Sequence, residues 1–373
     1  MDPILAATHA DPYPYYAQLR AEGGLVFHSQ LNVWVASSAQ AVAAVLENPV
    51  CHVRPSNEPV PHAIANGMSG KVFGQLMRMN EGERQRCPRS AIAPGLKGID
   101  AQEVEALVGA RLITADAAGL YNAMFRGPAC VMAALLGYSP AQGRAISELT
   151  RDFVACLSPL STHTQLTAAH TAAEQLSGYF VELLEDPDNH SPLLSGIRQR
   201  FTGGTPEMLI ANLIGLFSQT FEATAGLIGN AILTLIKNPS VLREPAQIDD
   251  LLAEVQRFDP PVQNTRRFVV APCEINGISL KTGDVILVLL ASANRDPQLN
   301  NTPDAFMLDR PNRRSFTFGA GHHQCPGQNL ALSIASATLR QILKKKPVLE
   351  RLSWDYRPSL NGRVPVFSDT RQV

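Results

Sequence analysis

Phe318-Gly319-Ala320-Gly321-His322-His323-Gln324-Cys325-Pro326-Gly327 places one cysteine on a glycine-rich turn just before a long apolar run. Gly319, Gly321 and Gly327 let the backbone fold tightly and come close to a flat group. A thiolate at the start of a helix is stabilised by free N–H groups and the positive end of the helix dipole. A sulfur held in this way can be the axial ligand of a haem iron. Two other readings stand beside that one. A lone cysteine at a loop-to-helix turn can be a buried structural thiol. His322, His323 and Cys325 could ligate zinc, although no Cys-x-x-Cys or second ligand pair occurs elsewhere.

Working outward from the turn, the residues after Gly327 predict a helix to about Lys345. The clearest long element is 205–237, with Thr205 as N-cap, Pro206 at the first helical position, Glu207 suited to the dipole and apolar residues continuing to Ile236. Some thirty residues make about 50 Å of helix, enough to cross a domain. A second helix is expected over about 247–258, ending at Asp259-Pro260-Pro261. Residues 266–290 read as strands turning at Asn276-Gly277 and Thr282-Gly283. Near the N-terminus, 11–23 predicts a short helix ended by Gly23-Gly24, 25–37 a hairpin and 38–47 another helix. Residues 49–77, rich in Pro, Gly, Asn and His, read as one long surface loop of the kind that often forms a lid.

The ordered spacing Phe-Gly-x-Gly-x-His-x-Cys-x-Gly resembles the haem-thiolate signature of the cytochrome P450 family, and the resemblance extends in family order over nearly the whole chain. Glu254 and Arg257 share one face of the second helix at i,i+3 spacing, which alone reads as an ordinary surface pair; the resemblance implies instead a buried network bracing the haem loop. Arg267 in Thr-Arg-Arg-Phe, Ala293-Asn294-Arg295-Asp296-Pro297 and Asp309-Arg310 also look like family segments. The implied fold is one mainly α domain over 1–373 with a small β region, with haem b between the long helix and the cysteine loop. Cys325 is then the metal ligand, Phe318, Gly319, Gly321 and Gly327 line the loop, and Arg267 and His323 meet the haem propionates. Arg84 is a third propionate partner on a poorer match, because Met79-Asn80-Glu81-Gly82-Glu83-Arg84 lacks the family's usual histidine. The family's next arginine falls on Pro88, which would interrupt a helix, so Arg86 or Arg89 are substitutes.

The family usually carries an acid followed by threonine in the middle of the long helix, for proton delivery. Here the stretch is Gln219-Thr220-Phe221-Glu222-Ala223-Thr224. The acid is kept as Glu222, but Ala223 follows it, and Gln219 and Thr220 replace a small pair. Three explanations stand open: a shifted register with Thr224 in the usual role; a hydrogen bond supplied by Thr220, Gln219 or a substrate hydroxyl; or chemistry other than monooxygenation, such as peroxide use, dehydrogenation, coupling or rearrangement. A substrate pocket is expected to be bordered by 54–76, 155–175, 216–224 and the stretch after Arg267. Phe217, Phe221, Phe268, Val269 and Val270 would form apolar walls, although each taken singly reads more readily as core, and His62, Asn66 and Thr164 would be polar contacts.

Composition bounds the remaining possibilities. The 373 residues are 45% hydrophobic and 17% charged, which allows a large buried core. A net charge of -1 argues against nucleic acid or an anionic membrane as partner. Cysteines at 51, 87, 130, 156, 273 and 325 show no paired spacing, as expected of reduced thiols in a cytoplasm. No signal-peptide pattern or apolar run of about 20 residues occurs, so a cytoplasmic, unanchored protein is expected. The resemblance implies O2, a small-molecule substrate, and electrons from a separate ferredoxin and ferredoxin reductase, docked where Arg86, Arg89, Arg340 and Lys344 offer positive charge. A non-catalytic haem sensor is the alternative from another class.

Overall fold

The computed structural model describes residues 1–110, 114, 116–345 and 349–369. They fall into two compact units. The first comprises Met1–Asn57, Gly226–Cys325 and Leu349–Phe367; the second comprises Glu58–Ala225, Pro326–Val348 and Ser368–Val373.

The first unit is built on a five-stranded sheet in the spatial order Leu25–His28, Val33–Ala36, Val285–Val288, Thr265–Val269, Cys51–His52. Only the pairing of Val33–Ala36 with Val285–Val288 is parallel. The expected hairpin turns form where side chains tolerate the left-handed region: Asn32 at φ 52°, and Asn276 and Gly277 at 51° and 77°. Helix Ala39–Glu47 begins where the Ser38 hydroxyl accepts the Ala41 N–H at 3.2 Å. Its apolar face, Val42, Val45 and Leu46, packs with Ala36, Val269, Ile286 and Val288 into one core, against which Phe316 and Ala320 also lie. The stem of the cysteine turn therefore rests on the same core as the strand carrying Arg267.

The termini of this unit are held together by a buried arginine. Arg363 donates to the Asp259 carboxylate at 2.7 Å and to the carbonyls of Ala7 and Ala10 at 3.3 and 3.1 Å, and stacks 3.9 Å from the Tyr356 ring. Among the described residues the second unit is mainly helical. Its aromatic core pairs Phe180 with Phe217 and Phe125 with Phe221, at 5.6 and 5.5 Å between ring centres. Phe217, Phe221 and Val269 are buried in these cores rather than lining an open wall.

Most expected helices are found: Tyr13–Ala21, Ala39–Glu47, Pro206–Lys237, Ile248–Phe258 and Gln328–Lys344. Two expectations are corrected. The stretch 49–77 is not one loop, for it contains helix Met68–Gln75. Three glycines in and beside it (67, 70 and 74) hide it from a propensity reading, and its first turn is satisfied from elsewhere: the Ser69 N–H donates to Nδ1 of His170 on helix His163–Glu185 at 3.3 Å. Pro88 does not interrupt a helix either, since Glu83–Lys97 runs through it with Pro88 buried. It lies in the second turn, where its missing N–H costs a single intrahelical bond.

Candidate functional site: a cysteine turn and a mid-helix window

The cysteine turn is closed by its own backbone. The Gly319 N–H donates to the Phe316 carbonyl at 2.7 Å, Cys325 N–H to Phe318 at 2.8 Å and Gln324 N–H to Gly321 at 3.1 Å. Gly319 and Gly321 adopt φ of 71° and 66°, a region other residues enter only at a cost. Gly321 is constrained a second time, since a Cβ there would lie 2.9 Å from the Leu46 carbonyl oxygen at the end of helix Ala39–Glu47. The turn is thus pressed onto that helix backbone to backbone. Cys325 is partly exposed and in no disulfide. By contrast, burial pushes the thiols of Cys51 and Cys156 up to about 12, which marks them as neutral core groups.

What fixes the turn is a polar scaffold in the same unit. Asn294 accepts the Phe316 N–H at 2.6 Å and donates to Thr317 Oγ1 at 2.9 Å and to the Gln256 carbonyl at 3.3 Å. Thr317 in turn donates to the Gln256 carbonyl. One buried amide therefore ties the entrance of the turn to helix Ile248–Phe258. On that helix Glu254 and Arg257 are fully buried and joined at 2.6 and 3.0 Å. Glu254 also accepts from Arg310 Nε at 3.0 Å, Arg313 Nε at 2.9 Å and the Met307 N–H at 3.1 Å. Burial alone would raise its pKa, but the Arg257 hydrogen bond and charge, helped by Met307 and Arg310, hold the carboxyl below its ordinary range. Arg313 is the member that sequence reading missed; one more arginine two residues before Ser315 carries no local signal.

Arg267, on strand Thr265–Val269, is nearly buried and donates to the Arg266 carbonyl at 2.9 Å and to Thr265 Oγ1 at 3.4 Å. His323 is partly exposed, its ring 4.4 Å from that of His322. Phe318 and Gly327 are partly exposed on the turn. Arg84 belongs to the second unit and its side chain is exposed. On the same helix Arg86 is paired with Glu83 and exposed, whereas Arg89 is partly buried.

The long helix Pro206–Lys237 is continuous, and from residue 211 to 233 all but four residues are buried. The exceptions are Gln219, Thr220, Glu222 and Ala223. They form a window on one side of an otherwise packed helix, within the stretch that sequence reading singled out. The proposed proton-handling residues differ in their exposure and hydrogen bonding. Thr224 is 2% exposed and lies off the window. The Thr220 hydroxyl donates to the Leu216 carbonyl at 2.7 Å and is committed to its own helix. His62, Asn66 and Thr164 are exposed.

Residues 248–348, from the start of the helix bearing Glu254 to beyond the cysteine turn, match the family model described as Cytochrome P450. On that segment the chain carries the cytochrome P450 match, and its similarity to cytochromes P450 extends well beyond it. It is 31% identical over 241 residues to the putative cytochrome P450 133B1 of Xylella fastidiosa, covering 61% of this chain and 59% of that protein's length. It is 28% identical over 383 residues to the cytochrome P450 monooxygenase PikC of Streptomyces venezuelae, covering 95% of this chain and 89% of PikC. The crystal structure of P450BioI in complex with a hexadec-9Z-enoic acid ligated acyl carrier protein superposes with a TM-score of 0.81 at 23% identity, covering 96% of this chain and 97% of that one. The fold is the mainly helical P450 fold with its small β region.

The family cofactor is a haem whose iron takes an axial cysteine thiolate, and the donor set of the first unit suits it. A partly exposed thiol stands on a turn stripped of side chains by glycine. A nearly buried guanidinium at Arg267 and an imidazole at His323 are the groups that propionates require. Among the described residues no helix is long and apolar enough to cross a membrane.

Proposed function

We propose that the protein is a haem-thiolate monooxygenase that inserts one oxygen atom from O2 into a small or medium-sized, partly apolar organic molecule of specialised metabolism. The observation that carries this reading is Cys325 on its backbone-closed turn. Bound there, a haem supplies O–O cleavage favoured by an electron-rich sulfur. The chain's own residues do the rest. Cys325 holds the metal, the Asn294 and Glu254 scaffold keeps the sulfur in place, and Arg267 and His323 neutralise the propionates. Arg84 is the weakest of the propionate candidates, being exposed. Glu222 is the acid retained on the window for moving protons.

Electrons would come from a ferredoxin and its reductase. Arg89, Arg340 and the exposed Lys344 supply positive charge for docking, while Arg86 is partly neutralised by Glu83. A cytoplasmic setting fits the reduced thiols.

Ala223 supports a second reading, in which the native reaction is an atypical oxidation. The position has no hydroxyl, and the nearest one on the window, Thr220, is engaged by Leu216.

The test is the optical spectrum of the reduced protein with carbon monoxide, beside Cys325→Ser. A strongly red-shifted Soret band that the substitution abolishes is expected. Its absence from folded, haem-loaded protein would remove the reading. Mass spectrometry of product formed under labelled dioxygen separates the two chemistries, since only monooxygenation leaves one labelled atom in the product.

A further inference from the structure

Gly215 and Gln219 lie one turn apart on the long helix, and their side-chain volumes are complementary. A Cβ on Gly215 would lie 3.2 Å from the amide nitrogen of Gln219 and 3.0 Å from Leu76 Cδ2. The Gln219 side chain therefore runs back toward the helix N-terminus, as helical side chains do, and its amide takes the slot that a side chain at 215 would fill. Gly215 is not at positive φ, so backbone conformation does not require glycine there. A Cβ there would make the amide and the Leu76 methyl give way by a few tenths of an ångström. Leu76, fully buried, forms the edge of the slot.

The other window positions leave little hydrogen-bonding capacity. Ala223 has none, the Thr220 proton goes to Leu216, and Glu222 has interactions of its own. Among the described residues the Gln219 amide makes no hydrogen bond, although it is partly buried on a helix whose neighbours are packed. An amide has two donor hydrogens and an acceptor oxygen. Holding it beside Leu76 unmet by protein favours any ligand that brings an oxygen to it.

We infer that Gln219 is a specificity-determining residue that hydrogen-bonds a hydroxyl or carbonyl oxygen of the substrate, so that the preferred substrates are apolar skeletons bearing at least one such group. The inference rests on the haem-thiolate reading above.

The probes are 1-phenylimidazole and its ortho-, meta- and para-hydroxyl derivatives, whose azole nitrogen ligates haem iron and shifts the Soret band. In the native holoprotein at least one hydroxyl isomer should bind about fivefold or more tightly than the parent. Gln219→Leu should abolish that gain while changing parent binding by less than about twofold. Gly215→Ala, which crowds the amide and shifts it by a few tenths of an ångström, should shrink the same gain, and provides the test if Gln219→Leu fails to load haem. Equal binding of all four probes to the native protein, or a gain that survives both substitutions, would overturn the inference. A native protein with no Cys325-dependent carbon monoxide band and no azole shift would instead defeat the haem-thiolate reading itself.

Discussion

Glu254 and Arg310 are 56 residues apart in sequence, yet the carboxylate accepts the guanidinium Nε–H at 3.0 Å with neither side chain appreciably exposed. The same carboxylate serves Arg257 and Arg313. Replacing Glu254 by glutamine leaves these cations facing a neutral amide, at a cost of about 3–5 kcal/mol. A lower urea midpoint with unchanged slope is expected. The pH profile should change as well. Because the folded-state pKa of Glu254 is depressed, its contribution is complete above the ordinary carboxylate value of about 4.3. It is lost as pH falls through the lower folded value. The substituted amide does not titrate, so the variant's acid-side slope should be flatter than that of the native protein.

The cysteine turn permits a comparison of two glycines with similar backbone angles. Gly319→Ala meets only the left-handed φ, since its new Cβ would be no closer than 3.7 Å to any neighbour, so a loss of about 1–2 kcal/mol is expected. Gly321→Ala meets that cost and a contact of 2.9 Å with the Leu46 carbonyl. Gly321→Ala should therefore be the more destabilising by thermal unfolding and should retain less haem on desalting. Equal losses would mean that the turn lifts off helix Ala39–Glu47 without resistance.

His170 and Gly67 form a pair of a different kind. The imidazole ring lies where a Cβ on Gly67 would be, at 2.2 Å, and its Nδ1 accepts the Ser69 N–H. Gly67 is the N-cap position of helix Met68–Gln75 and has no side chain to cap with, so a residue about a hundred positions away does so. His170→Ala should cost about 0.5–2 kcal/mol, in the range of a lost cap. Faster amide hydrogen exchange is expected over Ser69–Lys71, with the long helix unaffected. His170→Asn, which keeps an acceptor, should restore part of the protection, and Gly67→Ala should reproduce the loss by displacing the ring.

These contacts show where sequence reading succeeds and where it stops. The cysteine turn and the long helix are legible because their signals are local, glycines around a cysteine and a cap before a 32-residue, mostly apolar helix, whereas spacing puts Glu254 and Arg257 on one face and only the family resemblance implies their burial. Helix Met68–Gln75 carries no such local signal, because what holds its first turn is His170. Likewise, no local pattern reveals that Arg313 reaches Glu254, that Phe217 and Phe221 point into the core, or that the Thr220 hydroxyl is bound to Leu216. Each depends on which side of an element meets its neighbour.

Ala223 stands on the window with Glu222, one turn after Gln219. Its replacement by threonine should cost about 0.5 kcal/mol in helix propensity, little enough that folding and haem loading are kept. It would supply a hydroxyl that Thr220 cannot, because the Thr220 proton is already given to Leu216 at 2.7 Å. If the native reaction is monooxygenation limited by proton delivery, the fraction of reducing equivalents recovered as oxygenated product should rise by about threefold or more, part of the ~10²–10⁴ that a positioned proton donor can contribute. If the chain has specialised toward an oxidation that puts no oxygen in the product, the hydroxyl should leave coupling unchanged or lower it. Native product formed under labelled dioxygen should then contain no label. Measuring coupling and isotope content on one protein preparation separates a missing hydroxyl that limits the enzyme from one that the reaction does not use.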